Sequence, residues 1–201
     1  MAFIDLAKKE IQVKIVYYGP ARGGKTTNLQ YLYKTMSKNV AGKMVTIDTK
    51  GDRTLFFDFL PLNIGKIKNL SIRIQLYTVP GQVIYNATRK LVLKGVDGVV
   101  FVADSLRVQR QKNIESLQNL EENLAGYNIK IEEIPLVFQY NKRDLARSNF
   151  PLLSVNELEE DLNARFRVPA FEASALVGFG VFETLREITK ITVKSVARKL
   201  L

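Results

Sequence analysis

The stretch Gly19-Pro20-Ala21-Arg22-Gly23-Gly24-Lys25-Thr26 decides the fold. It has the pattern G-x-x-x-x-G-K-[ST], and its surroundings suit that pattern. The apolar run 11–18 reads as a strand that ends at Gly19, and a helical pattern follows with Leu29, Leu32 and Met36 on one face. Strand, glycine-rich loop and helix, in that order, make a cradle for phosphate. Gly19, Gly23 and Gly24 let the backbone curl, so that successive N–H groups, that of Ala21 among them, turn inward. The N-terminus of the helix adds its dipole. Lys25 supplies a point charge for the β- and γ-phosphates, Thr26 offers a hydroxyl to Mg²⁺, and Thr27 joins them at the start of the helix.

Outward from this loop, short apolar runs alternate with helical patterns, which predicts a parallel sheet flanked by helices. Residues 44–48 and 54–60 are two short strand candidates, the second rich in Phe. Residues 70–79 alternate, with Ile72, Ile74 and Leu76 on one face and Arg73, Gln75 and Tyr77 on the other. Residues 98–103 are a continuous apolar run, as a central buried strand should be, and 134–140 read as the next buried strand. Residues 170–173 form a last short candidate. Between them, a helix carries Ile114, Leu117, Leu120 and Leu124 in register and stops near Gly126. Residues 155–166 read as helical, and a long terminal helix over 181–200 places Val181, Leu185, Ile188 and Ile191 on its inner stripe. No repeat or linker breaks the chain, so the expectation is one domain over 1–201. Its class is α/β: a three-layer P-loop architecture with a six-stranded, mostly parallel sheet. Ligands of such sheets bind beyond the carboxyl ends of the strands, where every motif discussed here falls.

Asn141-Lys142-Arg143-Asp144 follows the expected strand 134–140 directly. It has the N-K-x-D form of guanine-specific phosphate-loop proteins. A carboxylate at Asp144 can accept from the two adjacent N–H groups on the guanine edge, and adenine presents no such pair of donors. Asn141 can tie this segment to the phosphate loop, and the stem of Lys142 can cover the face of the base. Ser174-Ala175, after the next short strand, matches an element whose backbone touches guanine, although a plain loop reads the same way. Val79-Pro80-Gly81-Gln82 ends the strand 70–79. There the N–H of Gly81 can meet a γ-phosphate and Gln82 can orient a water for in-line attack. Phosphoryl transfer needs positioning and charge neutralisation more than a strong base, so glutamine suffices. Between the first helix and the next strand stand Arg53 and Thr54. Thr54 can complete a Mg²⁺ shell, or be a plain strand residue. Arg53 can act as an arginine finger supplied within the chain, or form a surface ion pair with Asp52 or Asp58.

Composition narrows the chemistry. The chain has 201 residues, 46 % of them hydrophobic, which is enough for a full core and too much for disorder. It has no Cys and no His, so disulfides, thiolate sites and imidazole catalysis are excluded. A palmitoyl or prenyl anchor needs Cys, and Ala2 stands where myristoylation needs Gly. A soluble protein of the reducing cytoplasm is expected. The net charge of +10 suits a solvated basic surface, an acidic protein partner or anionic lipid heads. Basic residues along the terminal helix permit at most a weak, reversible electrostatic contact with a membrane. Aromatic and basic residues do not interleave as stacked bases require, so no nucleic-acid partner is expected.

Several of these segments together carry a resemblance. Residues 14–20, residues 52–61 with Arg53-Thr54-Leu55-Phe56-Phe57, the run Leu76 to Gln82, residues 94–98 and residues 141–145 look like the MglA family of bacterial Ras-like small GTPases. The similarity extends over nearly the whole chain. It implies a GTP/GDP switch with Mg²⁺ held by Thr26 and Thr54, a water placed by Gln82, and transition-state charge met by Arg53. It further implies slow hydrolysis unless a dimeric roadblock-fold partner of the MglB type stimulates it, polarity or motility effectors, and recruitment to a cell pole. Thr78 stands where ordinary Ras-like proteins carry an Asp that holds a metal-bound water, so a weaker hold on the metal is expected. Ala21 replaces a glycine usual in the family, and its methyl group is expected to lean toward the γ-phosphate and Gln82. Together these two residues leave a second reading open, a GTP-binding scaffold with negligible turnover.

Overall fold

The computed structural model describes residues 3–5, 9–36, 38–48, 56–67 and 69–200. Eight strands form one sheet: β1 Phe3–Asp5, β2 Glu10–Tyr18, β3 Val45–Asp48, β4 Phe56–Ile67, β5 Leu70–Thr78, β6 Gly98–Asp104, β7 Leu136–Asn141 and β8 Ala170–Glu172. Their order is β3-β4-β5-β2-β6-β7-β8, with β1 antiparallel to the start of β2. The pairs β5-β2, β2-β6, β6-β7 and β7-β8 are parallel, and β3-β4 and β4-β5 are antiparallel. The expected six strands thus become eight. Phe3–Asp5 has too few residues to show a period, and β3 and β4 both join the sheet as a hairpin extension.

β4 also runs beyond the expected stop at Leu60, straight through Pro61. The backbone of Pro61 faces outward, where its carbonyl accepts from the N–H of Ala41 (3.0 Å). The missing N–H therefore costs no bond to β5, which is the place in a sheet where proline is tolerated. A bulge between Asn63 and Gly65 follows, with Gly65 at φ 125°.

Among the described residues, five helices cover the sheet: α1 Lys25–Thr35, α2 Asn86–Leu93, α3 Arg110–Ala125, α4 Val155–Leu158 and α5 Val181–Leu200. Leu29, Leu32, Val181, Leu185 and Ile188 bury their side chains against one face of the sheet, with Met36 and Ile191 packed at the edge of that cluster. Val92, Leu93, Leu117, Leu120 and Leu124 do the same on the other. α2 has no counterpart in the sequence reading, because eight residues with Thr88 and Arg89 on the inner side present no apolar stripe. The helix expected over 155–166 is one α-turn followed by a π-turn, Glu159–Asn163. Asn163 explains the break. Its side chain donates to the Val168 carbonyl and accepts from the Val168 N–H (2.9 and 3.0 Å), which turns the chain toward β8. Among the described residues, no helix is long and apolar enough to cross a membrane.

Candidate functional site

The carboxyl ends of β2, β5, β6 and β7 point to one side of the sheet, and the loops that leave them meet there. The phosphate loop leaves β2 at Gly19, whose φ of 140° is accessible to glycine. A Cβ on Gly19 would lie 2.2 Å from the Val102 carbonyl oxygen. At Gly24, φ is 100° and a Cβ would lie 2.1 Å from Nδ2 of Asn141. Both glycines are therefore required by close approach as well as by dihedral angle.

Asn141 fastens three loops together. Its Nδ2 donates to the Gly23 carbonyl (2.7 Å), and its Oδ1 accepts from the Ala175 N–H (2.8 Å). The phosphate loop, the end of β7 and the Ser174-Ala175 segment thus form one assembly. Below it, Asn28 of α1 and Gln139 of β7 exchange a reciprocal pair of amide bonds (2.8 and 3.1 Å), and Gln139 also donates to Thr184 of α5. All three are fully buried, and the sequence reading passed over them because buried amides carry no periodic signal. Lys142 adopts φ 70°, and its ammonium meets the fully buried Asp104 carboxylate at 2.6 Å. Asp104 was also missed. Asp144 is half-buried, without a hydrogen-bond partner among the described residues. The Oγ of Ser174 is likewise buried without a partner among them.

Lys25 is buried, and its ammonium turns back on its own loop, donating to the carbonyls of Gly19 (3.1 Å) and Pro20 (2.6 Å). Burial, and after it the charge of Arg89, push its pKa down to about 7, against the opposing pull of Asp58. Thr27 is half-buried and lines the same cleft, and Arg22 is exposed at its rim with φ 59°. The cleft has a volume of about 620 Å³, with Lys25, Thr26, Thr46, Asp58, Thr78 and Gly81 in its wall.

Asp58 was considered only as a surface ion-pair partner of Arg53. It is in fact buried, and it gathers three threonine hydroxyls at one end of the cleft. Oδ2 accepts from the hydroxyls of Thr26 (2.6 Å) and Thr78 (2.8 Å), Oδ1 accepts from Thr46 (3.0 Å), and its N–H donates to Thr78 (2.8 Å). The carboxylate that the sequence lacks at position 78 is thus delivered by the neighbouring strand. Thr78 cannot contribute charge, but it holds the residue that does.

Gly81 rests on the phosphate loop, where a Cβ would lie 2.2 Å from Cα of Ala21. Gln82 follows, exposed. Arg53 and Thr54 lie outside the described residues.

A family model of the ADP-ribosylation factor family matches residues 1–192. The mutual gliding-motility protein MglA of Myxococcus xanthus (strain DK1622) is 51% identical over 191 residues, 95% of each chain. The Ras-related protein RABG3f of Arabidopsis thaliana is 25% identical over 94% of this chain and 86% of its own. The human ADP-ribosylation factor-like protein 4A is 26% identical over 93% and 86%. With a phosphate loop at the end of β2 and an N-K-x-D segment at the end of β7, the chain belongs to the ADP-ribosylation factor family of small GTPases and, within it, to the MglA group: it binds guanine nucleotide and hydrolyses GTP.

Proposed function

We propose that this chain is the GTP-driven switch of a cell-polarity or motility system, cycling between GTP- and GDP-bound forms with Mg²⁺. The name of the Myxococcus relative motivates the motility reading. The observation that carries the switch is the Thr26–Asp58–Thr78 cluster. It joins the phosphate loop to β4 and β5, the two strands that lead into the segments around residues 49–55 and 80–85. A nucleotide that engages Thr26 therefore acts directly on both strands.

In this reading, Lys25 and the loop amides from Gly19 to Thr27, through Ala21, Gly23 and Gly24, hold the phosphates. Asp144 selects the guanine edge, Lys142 lies along the base, and Ser174 and Ala175 close its far side. Thr26 and Thr54 ligate Mg²⁺, with Asp58 as the nearby carboxylate. A hydroxyl and a carboxylate 2.6 Å apart, open to a cleft, form a hard oxygen donor set that suits this ion. Mg²⁺, when bound, neutralises the charge that develops between the β- and γ-phosphates. Gly81 meets the γ-phosphate, Gln82 orients the attacking water, and Arg53 stabilises the transition state. A dimeric roadblock-fold partner speeds hydrolysis, the GTP form gathers at a cell pole with its effectors, and residues 1–201 act as a single domain.

The test is single-turnover GTP hydrolysis with Mg²⁺, with and without a roadblock-fold partner from the same genome. The partner should accelerate turnover. Gln82→Ala and Arg53→Ala should each lower the stimulated rate by about two orders of magnitude or more while GTP stays bound. Unchanged rates in both variants would refute the assigned roles.

A further inference from the structure

Arg89 is the largest fully buried side chain among the described residues. It lies on the inner side of α2, and no carboxylate among the described residues pairs with it. Its guanidinium instead uses three neutral acceptors. Nε donates to the Tyr18 hydroxyl (2.9 Å), one terminal nitrogen to the Gly81 carbonyl (3.1 Å), and the other to Oγ of Ser116 (2.8 Å). The guanidinium also lies over the Tyr18 ring, 4.4 Å from its centre. Burying a cation without an anion is costly, so its retention calls for a compensating negative group or a task.

The surroundings indicate the task. The Tyr18 hydroxyl accepts from Asn123 (3.1 Å) and donates to Asn119 (2.8 Å), both on α3. The same two asparagines donate to Oδ1 of Asn86, the first residue of α2 (2.9 and 2.7 Å). A buried polar cluster thus connects β2, α2 and α3, and Arg89 links it to the Gly81 carbonyl. Fixing that carbonyl fixes the plane of the Gly81–Gln82 peptide.

We propose that Arg89 is a positioning residue for the triphosphate-bound state, holding Gly81 and Gln82 toward the terminal phosphate and fastening that loop to α2 and α3. The missing counter-charge is then supplied by the nucleotide itself, and most fully by the γ-phosphate. The proposal rests on the reading that places Gly81 at the γ-phosphate. A merely structural arginine, by contrast, would support diphosphate and triphosphate binding alike.

The experiment measures affinity for GDP and for a non-hydrolysable GTP analogue with Mg²⁺, single-turnover hydrolysis and melting temperature. It uses the full chain and its Arg89→Lys, Tyr18→Phe and Gln82→Ala variants. Arg89→Lys keeps a charge but loses the three-way fork. It should leave GDP affinity within about twofold and lower triphosphate affinity about tenfold or more, with hydrolysis falling as well. Tyr18→Phe removes the Nε acceptor and keeps the ring, and it should shift the same ratio in the same direction by less. It carries the test alone if Arg89→Lys does not fold. Parallel losses of GDP and analogue affinity, or an unchanged ratio in both variants, would overturn the proposal. Hydrolysis that survives Gln82→Ala would refute the role of Gln82 separately, since the affinity ratio reads Gly81 and not the water.

Discussion

The two ends of the cleft are built differently. At the base end, Asn141 bonds two backbone groups, the Gly23 carbonyl and the Ala175 N–H, and a buried amide pair locks the layer beneath. At the end where Mg²⁺ is proposed to bind, side-chain hydroxyls meet a carboxylate, and Gly81 rests on Ala21 without a hydrogen bond between them. Bonds to main chain inside a packed layer resist rearrangement, because breaking them strands buried polar groups. Contacts among Thr26, Asp58 and Thr78 involve the same groups that a cation or a phosphate would engage, so ligands can replace them at little cost. A GTPase switch needs both. It needs a rigid grip that is indifferent to the state of the terminal phosphate, and a second half whose bonds are exchangeable.

The contrast is sharpest in Asn141→Ala. Loss of both bonds leaves a buried carbonyl and a buried N–H without partners, at a cost of about 3 kcal/mol, or roughly a hundredfold in affinity. GDP and GTP should suffer equally, as read by titration with fluorescent nucleotides. A loss confined to GTP would show that the base end also senses the nucleotide state.

Asp58→Ala probes the opposite end and should give a smaller, conditional effect. The Mg²⁺ concentration needed for half-maximal nucleotide retention should rise about tenfold, while retention in a chelator stays unchanged. Tighter retention in the variant would mean that Asp58 competes with the ion instead of serving it.

The smallest effect concerns protons. With its pKa at about 7 in the protein and 10.5 for an ordinary lysine, Lys25 is largely neutral at pH 8.5 while the unfolded chain holds the proton. Stability of the nucleotide-free protein should therefore rise with pH between about 7 and 10.5, since the unfolded state binds more protons there. Phosphates favour the charged form, so nucleotide binding at pH 8.5 should take up close to one proton, and less as pH falls through 7. Calorimetry in buffers of different ionisation enthalpy measures this uptake. No uptake would place Lys25 as already charged and make the phosphate end as preset as the base end.

The rigid end was also the legible one. A phosphate loop, an N-K-x-D segment and an S-A pair are local patterns that can be recognised in the sequence whatever contacts later require their residues. Gly24, for example, must be glycine because of its φ and because Asn141 sits against it. The strands and the long helices were equally readable, since burial of one face imposes a period. Asp58 was quoted within a run of Phe residues without its site being recognised. Its meaning depends on the pairing of β4 with β5, which places it opposite neither a glycine loop nor a repeat but beside the hydroxyl of Thr78. α2, with Arg89 on its inner side, was invisible for a related reason, because a buried polar residue breaks the apolar period that reveals a helix.

The sequence by itself thus determined the α/β class, the phosphate loop and the N-K-x-D segment, because these rest on dihedral preferences and on spacings within a few residues. The tertiary structure alone decided the eight-stranded sheet, the delivery of a carboxylate from β4 to a position where β5 carries threonine, and the buried arginine behind Gly81. Those depend on strand register and on which distant polar groups find one another inside a low-dielectric core, and neither is written in any local stretch of the chain.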